Sequence, residues 1–383
     1  MRVLYLSNIH FSDVDMSLMP ELMLQFDAYY IMEINSRVLS SCAVNINKPY
    51  RQAGLYSSSV YPELSKFEKL FNQSRFFVLN FLRDNKILTM LSILKNEWQL
   101  FRFIKKNKFD VIHSIGEPYK YRSWIYLFRN KMIISRHDPV FHSGTILTRA
   151  FKASLNRAFK YCNRFMIYNE SQRKDFVKQF GLKDKKVCVS RLGIYSYLHI
   201  YKDSIPPRNS NYILFFGRIS KYKGIKYLLD AMMMIHQECP DLNLIIAGKG
   251  DFDFDITKYE HLPYIQIENR YIDDRELSAL ICNCKFIVCP YTDATQSGVL
   301  MSSFAWNKTA IVTSVGGLPE VVGHGRYGVI IPPKDVNALA NAVVSLVNNP
   351  NQISVFEKRI HDEYSSGANS WLSIIKQYKE FYK

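Results

Sequence analysis

The stretch of residues 291–320 constrains the fold most, because it combines a strand exit, a loop of small residues, a helix start and a paired-glycine turn. An apolar strand pattern ends at Pro290, and residues 299–306 then predict a helix. The first backbone N–H groups of a helix lack partners within it and carry partial positive charge, so a phosphate can bind there. The stretch therefore predicts either an anion site of an α/β domain or an ordinary strand-helix-strand crossover.

Strand and helix patterns alternate along both halves of the chain, which predicts two tandem doubly wound, Rossmann-like α/β domains. In the first half the pattern predicts a strand at 2–6, a helix at 27–39 and a strand at 42–46. Strands follow at 110–113, 131–135, 164–168 and 186–190, with helices at 123–128 and at 172–180, the last capped by Ser171. A ligand is expected between the carboxyl edges of the two sheets.

A polar segment with two adjacent prolines, 203–211, predicts a linker between the domains. The predicted limits are 1–202 for an acceptor-binding domain, 212–355 for a donor-binding domain and 356–383 for C-terminal helices that cross back to the first. Strands are predicted at 212–216, 244–247, 286–289, 310–313 and 329–331. Helices are predicted after Ile225, after Asp335, which caps its helix, and at 371–382.

Composition limits the class of protein. With 383 residues, 48% of them hydrophobic, the chain can bury two cores. No run of about 18 apolar residues predicts a membrane span, and the N-terminus lacks the pattern of a signal peptide, so a cytoplasmic protein is expected. The seven cysteines lie mostly on apolar patterns. Since Cys282, Cys284 and Cys289 match no zinc spacing, we expect neither a metal nor a cofactor.

The chain is strongly basic, with 50 Lys and Arg against 34 Asp and Glu and a net charge of +16. Anionic partners are therefore expected. Residues 60–108 interleave basic and aromatic residues in a largely helical pattern. This basic block predicts either contact with an anionic membrane surface or a pair of amphipathic core helices with solvated lysines. We expect no nucleic-acid binding, because no base-reading motif appears.

A second loop points to anion chemistry. After the strand at 212–216, Arg218 and Lys223 lie between Gly217 and Gly224, immediately before a helix. A planar guanidinium and an ammonium at a strand exit suit a diphosphate, although a solvated surface turn would have the same composition. The loop of Gly248 and the loop of Gln296, Ser297, Gly298 and Val299 are expected at the same sheet edge.

Four segments in register resemble a known family. They are FFGRISKYKGIKYLLDAM, LIIAGKGD, FIVCPYTDATQSGVLMSSFAWNKTAIVTSVGGLPEVV and YGVIIPPKDVNALANAV. In order and spacing, over about 150 residues, they resemble the nucleotide-sugar half of retaining glycosyltransferases of family 4 with the GT-B fold. The first half resembles that family more weakly, through FDVIHSIGEP and IISRHDP. The resemblance implies sugar transfer from a nucleotide diphosphate sugar, without a metal or a protein nucleophile.

The resemblance also implies roles for single residues. Arg218 and Lys223 correspond to the cations that bind the donor diphosphate, and His137 to an active-site histidine near the transferred sugar, although His137 could also be a helix-cap or core histidine. The donor-binding positions implied are Gly217 beside the cations, Gly248, the neighbourhood of Asn269, Arg270 and Tyr271 where the nucleoside base is held, Gln296, Ser297, Gly298 and Val299 in the loop, and Glu320 after the paired glycines.

The chain departs from the family at two glutamate positions. They fall on Ala294 and Ser302, and neither residue is a carboxylate. Three explanations stay open: sugar contacts made by Gln296, Ser297 and backbone amides, a changed donor, or lost activity. Asp293 could supply a carboxylate one residue earlier.

The expected enzyme is therefore a retaining, metal-independent glycosyltransferase. Its acceptor is expected to be a lipid-linked saccharide of surface polysaccharide assembly, at the inner face of the cytoplasmic membrane. The alternative is a catalytically weak protein of the same fold that acts as a membrane-associated partner.

Overall fold

The computed structural model describes residues 1–41, 43–47, 50, 52–83, 85–139, 148–182, 185–206, 211–294 and 297–383. The chain divides into two compact units: unit 1 comprises Met1–Gly193 with Trp371–Lys383, and unit 2 comprises Ile194–Ser370. These units are defined by packing alone. The domain limits that composition suggested stay predictions.

The strands are β1 Arg2–Asn8, β2 Asp27–Asn35, β3 Ser40–Ser41, β4 Val44–Asn45, β5 Gly54–Ser57, β6 Phe76–Phe81, β7 Val111–Ile115, β8 Met132–Arg136, β9 Arg164–Ile167, β10 Lys186–Val189, β11 Tyr212–Phe216, β12 Asn243–Ala247, β13 Ile265–Glu268, β14 Ile287–Cys289, β15 Ala310–Thr313 and β16 Gly328–Ile331.

The α-helices are α1 Ser12–Gln25, α2 Lys86–Asn107, α3 Arg149–Tyr161, α4 Arg173–Phe180, α5 Ile225–Glu238, α6 Thr257–Glu260, α7 Asp274–Asn283, α8 Gly298–Ala305, α9 Leu318–Val321, α10 Val336–Val347, α11 Pro350–Ser365 and α12 Trp371–Tyr382. The 3-10 segments are Ile9–Phe11, Ser58–Val60, Pro62–Phe67, Gln73–Arg75, Lys120–Lys131, Ser196–Ser204, Lys221–Lys223 and Gly323–Gly325.

Unit 1 is built on an eight-stranded sheet of order β10-β9-β8-β7-β1-β2-β6-β5. All pairs are parallel except the antiparallel pair of β5 and β6. On one side of β1 the sheet continues with β2, and on the other side it continues with β7, β8, β9 and β10 in chain order. Ligands of such sheets bind where the strand order reverses, at the carboxyl ends of the two central strands. In unit 1 this point lies after β1 and β7.

Unit 2 is built on a six-stranded sheet of order β13-β12-β11-β14-β15-β16, and its strand pairs are parallel. β11 and β14 are its central strands, so its reversal point lies after Phe216 and Cys289. The two sheets confirm the predicted fold class of two Rossmann-like α/β domains. The Asp335 side chain accepts a hydrogen bond from the Ala338 N–H at 2.9 Å, so it caps α10 as predicted.

The predicted helix at 27–39 is wrong, because Asp27–Asn35 is strand β2. β2 pairs with β1 on one edge and β6 on the other, and its successive residues Tyr30 and Ile31, which point to opposite faces, are both fully buried, so its apolar residues need not alternate. The preceding helix α1 had not been predicted. It contains Pro20, and its buried residues include the polar Asp15 as well as Met16 and Leu22, so it lacks a helical stripe of apolar residues.

The basic block also differs from its prediction. Phe76–Phe81 is strand β6 in the interior of the sheet, whereas Lys86–Asn107 is helix α2. Of the strand predicted at 42–46, Val44–Asn45 forms β4, and Cys42 lies outside the described residues. Helix α4 begins at Arg173, and the residue at its N-cap position is Gln172, which makes no side-chain capping bond there. Ser171 is therefore not the cap of α4.

A buried polar cluster joins α12 to the sheet of unit 1. The Nδ1 atom of His113 in β7 lies 2.6 Å from the Tyr382 hydroxyl, and its Nε2 atom lies 2.5 Å from the Ser135 hydroxyl. Arg164 donates to the Tyr382 carbonyl at 3.3 Å. Burial, with smaller effects of His137 and Arg164, lowers the pKa of His113 to about 3. The histidine is therefore neutral in the folded protein.

We expect this histidine to make unfolding easier in acid. The unfolded chain takes up a proton near the ordinary pKa of 6.5, whereas the folded chain does so only near 3, so the free energy of unfolding falls as pH decreases through that window. Urea unfolding measured across the window should show a smaller decrease for His113→Gln than for the wild type. His261→Gln, at an exposed histidine of unit 2, is the control and should keep the wild-type slope. Equal slopes for His113→Gln and wild type would contradict this account.

Candidate functional site

The loops at the carboxyl edge of the unit 2 sheet contact one another through backbone hydrogen bonds. The Gly217 N–H donates to the Ala247 carbonyl at 2.9 Å, and the Ile219 N–H donates to the Lys249 carbonyl at 3.1 Å. The Thr292 N–H donates to the Tyr222 carbonyl at 2.8 Å. The loops after β11, β12 and β14 therefore meet at one edge, as the sequence predicted.

Two glycines allow this close approach. Gly224 has a φ of +66°, and a Cβ atom there would lie 2.0 Å from the Pro290 carbonyl oxygen. A Cβ atom at Gly248, whose φ is +154°, would lie 1.9 Å from the Gly217 carbonyl oxygen. Real Cβ atoms do not come so near to backbone oxygens, so any other residue would push the loops apart.

Lys223 is buried within this group of loops, with 8% of its surface exposed. Its Nζ atom lies over the ring of the fully buried Tyr291, 3.7 Å from the centroid. Burial lowers the pKa of Lys223 to about 8; the Cys289 thiol opposes this shift, and the nearby Arg218 guanidinium adds to it. Among the described residues no carboxylate pairs with this buried ammonium, which lies against aromatic rings, so a bound anion would stabilise it.

The structure has the predicted helix start after β14. α8 begins at Gly298, and the residue at its N-cap position is the buried Ser297, whose hydroxyl lies 3.4 Å from that of Tyr291. Val299 packs against Gly217, because a Cβ atom on Gly217 would lie 3.3 Å from the Cγ2 atom of Val299. Arg218 is exposed. Gln296 lies outside the described residues. The described part of the loop thus brings Lys223 and the start of α8 to one place.

Ser302 and Ala294, at the two positions that lack the family's glutamates, make contacts within unit 2. The Ser302 hydroxyl donates to the Gly298 carbonyl at 3.1 Å, within α8. Gly316 packs against Ala294, since a Cβ atom there would lie 1.5 Å from the Ala294 carbonyl oxygen. Glu320 lies in the short helix α9 and is exposed.

The residues assigned to the nucleoside base lie after β13. Arg270 pairs with Glu268 at 3.0 Å and with Glu276 at 2.5 Å, so its charge is already balanced within unit 2. Tyr271 is half exposed. Asn269, which the resemblance places beside the nucleoside base with Arg270 and Tyr271, donates to the Gly250 carbonyl at 3.0 Å and accepts from the Gly250 N–H at 3.2 Å. It ties this segment to the glycine loop after β12.

Unit 1 has a cavity of about 560 Å³ at its own reversal point, after β1 and β7. Its polar lining includes two buried arginines, Arg122 and Arg136. Arg122 pairs with Glu97 at 2.7 Å and also with Glu33, and Arg136 pairs with Glu117. Aromatic rings also line the cavity: Phe11, Tyr119, Tyr121 and Phe151.

Glu33 sets the charge of one wall of this cavity. It shares the single guanidinium of Arg122 with Glu97, so the three groups together carry one excess negative charge when both carboxyls are ionised. Burial raises the pKa of Glu33, and Arg122 opposes that shift. A carboxylate wall beside aromatic rings can accept hydrogen bonds from hydroxyl groups and pack on apolar ring faces. The local sequence carried no signal for this wall, because the three residues are far apart in the chain.

His137 lies in this cavity of unit 1. Its ring packs against Phe11 at 4.4 Å and against Tyr168 at 4.7 Å between centroids. Burial lowers its pKa to about 4, so the ring is neutral near pH 7. Its Nε2 atom has no hydrogen-bond partner among the described residues. The ring is thus packed in the manner of a core histidine, and the residue also lines the cavity.

Two further features bear on ligands. Within the described ranges, no three His, Cys, Asp or Glu side chains are grouped as metal ligands would be. None of the helices in those ranges is long and apolar enough to cross a membrane.

Comparisons with known proteins agree with this geometry. The family described as "Glycosyl transferases group 1" matches residues 210–349. An uncharacterized glycosyltransferase of Methanocaldococcus jannaschii is 30% identical over 294 residues, which cover 69% of this chain and 80% of that protein. The glycogen synthase of Mycobacterium tuberculosis is 25% identical over 215 residues, 55% of this chain, and the chain spans only 52% of its length.

Two other proteins are informative. A Campylobacter jejuni protein named N,N'-diacetylbacillosaminyl-diphospho-undecaprenol alpha-1,3-N-acetylgalactosaminyltransferase is 24% identical over 282 residues, covering 67% of this chain and 73% of that protein. Among solved structures, Anabaena HepE in complex with UDP is similar with a TM-score of 0.64 and 16% identity, covering 99% of both chains. The extended match to the Methanocaldococcus protein, the matched segment and the two sheets together show that this chain belongs to the group 1 glycosyltransferases with the GT-B fold.

Proposed function

We propose that the protein is a retaining, metal-independent glycosyltransferase that moves a sugar from a nucleotide diphosphate sugar to an acceptor hydroxyl. One observation carries the proposal. Lys223 is a buried ammonium at the reversal point of unit 2, stacked on Tyr291 and beside the first residues of α8. This is where a diphosphate would find both a cation and unpaired backbone N–H groups.

The chain's own residues would act chiefly on the leaving group. The bond between the anomeric carbon and the diphosphate oxygen breaks, and its electron pair stays on the diphosphate. Lys223, Arg218 and the N–H groups of α8 would stabilise that charge, while a new bond forms from the acceptor oxygen to the anomeric carbon and the acceptor's hydroxyl proton passes to the departing diphosphate oxygen. In such sites a single electrostatic donor contributes roughly 2.7–4 kcal/mol to lowering the barrier.

The acceptor is proposed to be a lipid-linked saccharide of surface polysaccharide assembly, bound in the cavity of unit 1. Its carboxylates and aromatic rings suit a saccharide. The name of the Campylobacter relative supports this choice, because it contains a diphospho-undecaprenol sugar acceptor. A protein encoded in a Klebsiella pneumoniae cps region is 21% identical over 290 residues. The proposed location is the cytoplasm, at the inner face of the membrane.

A donor screen tests the proposal. The full chain is heated with a panel of nucleotide sugars, and the same mixtures are incubated with an undecaprenyl diphosphate saccharide. We expect one donor to raise the unfolding temperature and to give a product heavier by one sugar, with the donor's anomeric configuration by NMR and with equal yield in chelator. Inverted configuration, or loss of product in chelator, would contradict the corresponding part of the proposal.

A second function is favoured by Ala294 and Ser302. Without the two carboxylates that the family uses, the protein could be a catalytically weak, membrane-associated partner. In that case no nucleotide sugar should raise the unfolding temperature. Stabilisation by a donor together with hydrolysis or transfer would reject this second function.

A further inference from the structure

Helix α2 exposes a continuous apolar surface to solvent. Five exposed apolar side chains, which we call the outer face of α2, form this surface: Ile87, Met90, Leu91, Leu94 and Trp98. Leu88, which is 43% exposed, lies to one side of them. Ile87 is 71% exposed, and Leu94 and Trp98 are each 60% exposed. Side chains three and four residues apart lie on one side of a helix, so these five form a single stripe.

The outer face is not part of the core of unit 1. The opposite side of α2 makes the buried contacts, through Ser92, Asn96 and Leu100. Asn96 donates to the Asn80 carbonyl in β6 at 2.8 Å, and the Ser92 hydroxyl accepts from the Leu82 N–H at 2.9 Å. The helix is therefore fixed by its inner side, and five large apolar side chains remain on the outer side.

The exposed charges on helix α2 have one sign. The exposed charged residues of α2 are all basic: Lys86, Lys95, Arg102, Lys105 and Lys106. The helix has one acidic residue, Glu97, which is buried and receives hydrogen bonds from Arg122 and from the Trp124 indole N–H at 2.8 Å. The solvent-exposed surface of α2 thus presents cations and apolar groups together.

We infer that the outer face of α2 docks on the anionic surface of a lipid bilayer, with its apolar stripe among the acyl chains and its lysines and arginines at the lipid phosphates. An amphipathic helix of this composition lies in the plane of a membrane interface. A second copy of the chain fits less well, because a symmetric contact would bring the five cations of one helix against the same five of the other.

Docking at α2 has a consequence for the cavity of unit 1. Glu97 on the inner side of α2 holds Arg122, and Arg122 in turn holds Glu33 in the cavity wall. Helix α2 thus carries both the outer face and Glu97, the residue through which it is linked to the cavity wall. This consequence rests on the proposed function: a saccharide on a lipid diphosphate would reach the cavity without leaving the membrane.

Vesicle flotation tests the docking. The full chain, without donor or acceptor, is mixed with phosphatidylcholine vesicles or with vesicles that also contain phosphatidylglycerol. We expect flotation with the anionic vesicles only, reduced by salt. The variant Leu91→Glu/Trp98→Glu should no longer float. The variant Lys95→Gln/Arg102→Gln/Lys105→Gln should bind about a hundredfold more weakly, at roughly fivefold per charge.

Matched controls come from α12 of the same unit, whose Leu372, Lys376 and Lys379 are also exposed. Leu372→Glu and Lys376→Gln/Lys379→Gln should float like the wild type. Wild-type chain that stays out of the anionic vesicles would overturn the inference, as would variants of the outer face that still float fully. A wild-type dimer that the outer-face variants dissociate in vesicle-free buffer, without flotation, would assign the face to a second copy and also overturn it.

The docking and the proposed function fail separately. Stabilisation by a nucleotide sugar is measured on the outer-face variants in the absence of vesicles, and it should equal that of the wild type. Flotation without any stabilisation by a donor would support the docking of the outer face and reject the transferase. Transfer to a short-chain, water-soluble acceptor without flotation would support the transferase and reject the docking.

Discussion

Replacing Lys223 with methionine is expected to lower the rate of sugar transfer by about a hundredfold to a thousandfold, without lowering the thermal stability of the protein. The loss in rate corresponds to removing one preorganised charge from the leaving diphosphate. Stability should be kept because methionine has a similar length and packs well against aromatic rings such as Tyr291. Burial already disfavours the ammonium form, as the lowered pKa of Lys223 indicates.

The control for this variant is Lys221→Met, in the same loop. Lys221 is exposed, so its replacement should leave the transfer rate within about twofold of the wild type. The wild-type affinity for the donor nucleotide should also fall as pH rises through about 8, where Lys223 loses its proton in the free protein. Calorimetry across this range should find a flatter profile in Lys223→Met. A folded Lys223→Met variant with a near-normal rate would remove Lys223 from the proposed mechanism.

Replacing Gly224 with alanine is expected to destabilise unit 2 and to abolish donor binding. Two costs add. The left-handed backbone at a φ of +66° costs about 1–2 kcal/mol for any residue with a Cβ atom. The Cβ atom would also lie 2.0 Å from the Pro290 carbonyl oxygen, so the loop after β11 must move away from the end of β14. We expect a total loss of roughly 3–5 kcal/mol in the free energy of unfolding.

Gly181 provides a matched control for Gly224. Its φ is +63°, nearly the same, and a Cβ atom there would meet nothing within 4 Å. Gly181→Ala should therefore cost only the backbone term, about 1–2 kcal/mol, and should leave donor binding intact. Urea unfolding and nucleotide titration of both variants separate the two costs. Equal losses for the two variants would mean that the loops after β11 and β14 are not tightly packed against each other.

The part of the site that sequence reasoning could predict is local. Gly217, Lys223 and Gly224 follow a strongly apolar strand within a few residues, so their meeting at a sheet edge follows from strand order. The role of Tyr291 was missed, although it comes directly after the strand that ends at Pro290. A tyrosine at a strand exit beside a predicted anion loop is a usable signal for a stacked cation.

Other features could not be predicted from a local pattern. Glu33, Glu97 and Arg122 come from a strand, a helix and a 3-10 segment, and only the folded sheet of unit 1 brings them together. Strand β2 was predicted as a helix because a strand buried on both faces loses its alternation, so a few apolar residues can match the helical period by chance.

The basic block illustrates why both of its interpretations were reasonable. Helix α2 has an inner side that packs in the core, as the core interpretation expects, and an outer face that does not, for which contact with a membrane stays a prediction. The sequence contained both sets of residues. Which set faces the sheet depends on Asn96 and Ser92, whose side chains bond to the backbone of β6 and of the residue after it.

The return of α12 to unit 1 has a consequence for synthesis of the protein. The first 193 residues of unit 1 leave the ribosome before unit 2, but the helix that covers His113 and Tyr168 is made after it. At about 5–20 residues per second, translation of the intervening segment takes roughly 10–40 s. During that interval the polar groups that α12 will cover face water or a chaperone. Nascent unit 1 should therefore resist protease only after residues 371–383 have emerged from the exit tunnel.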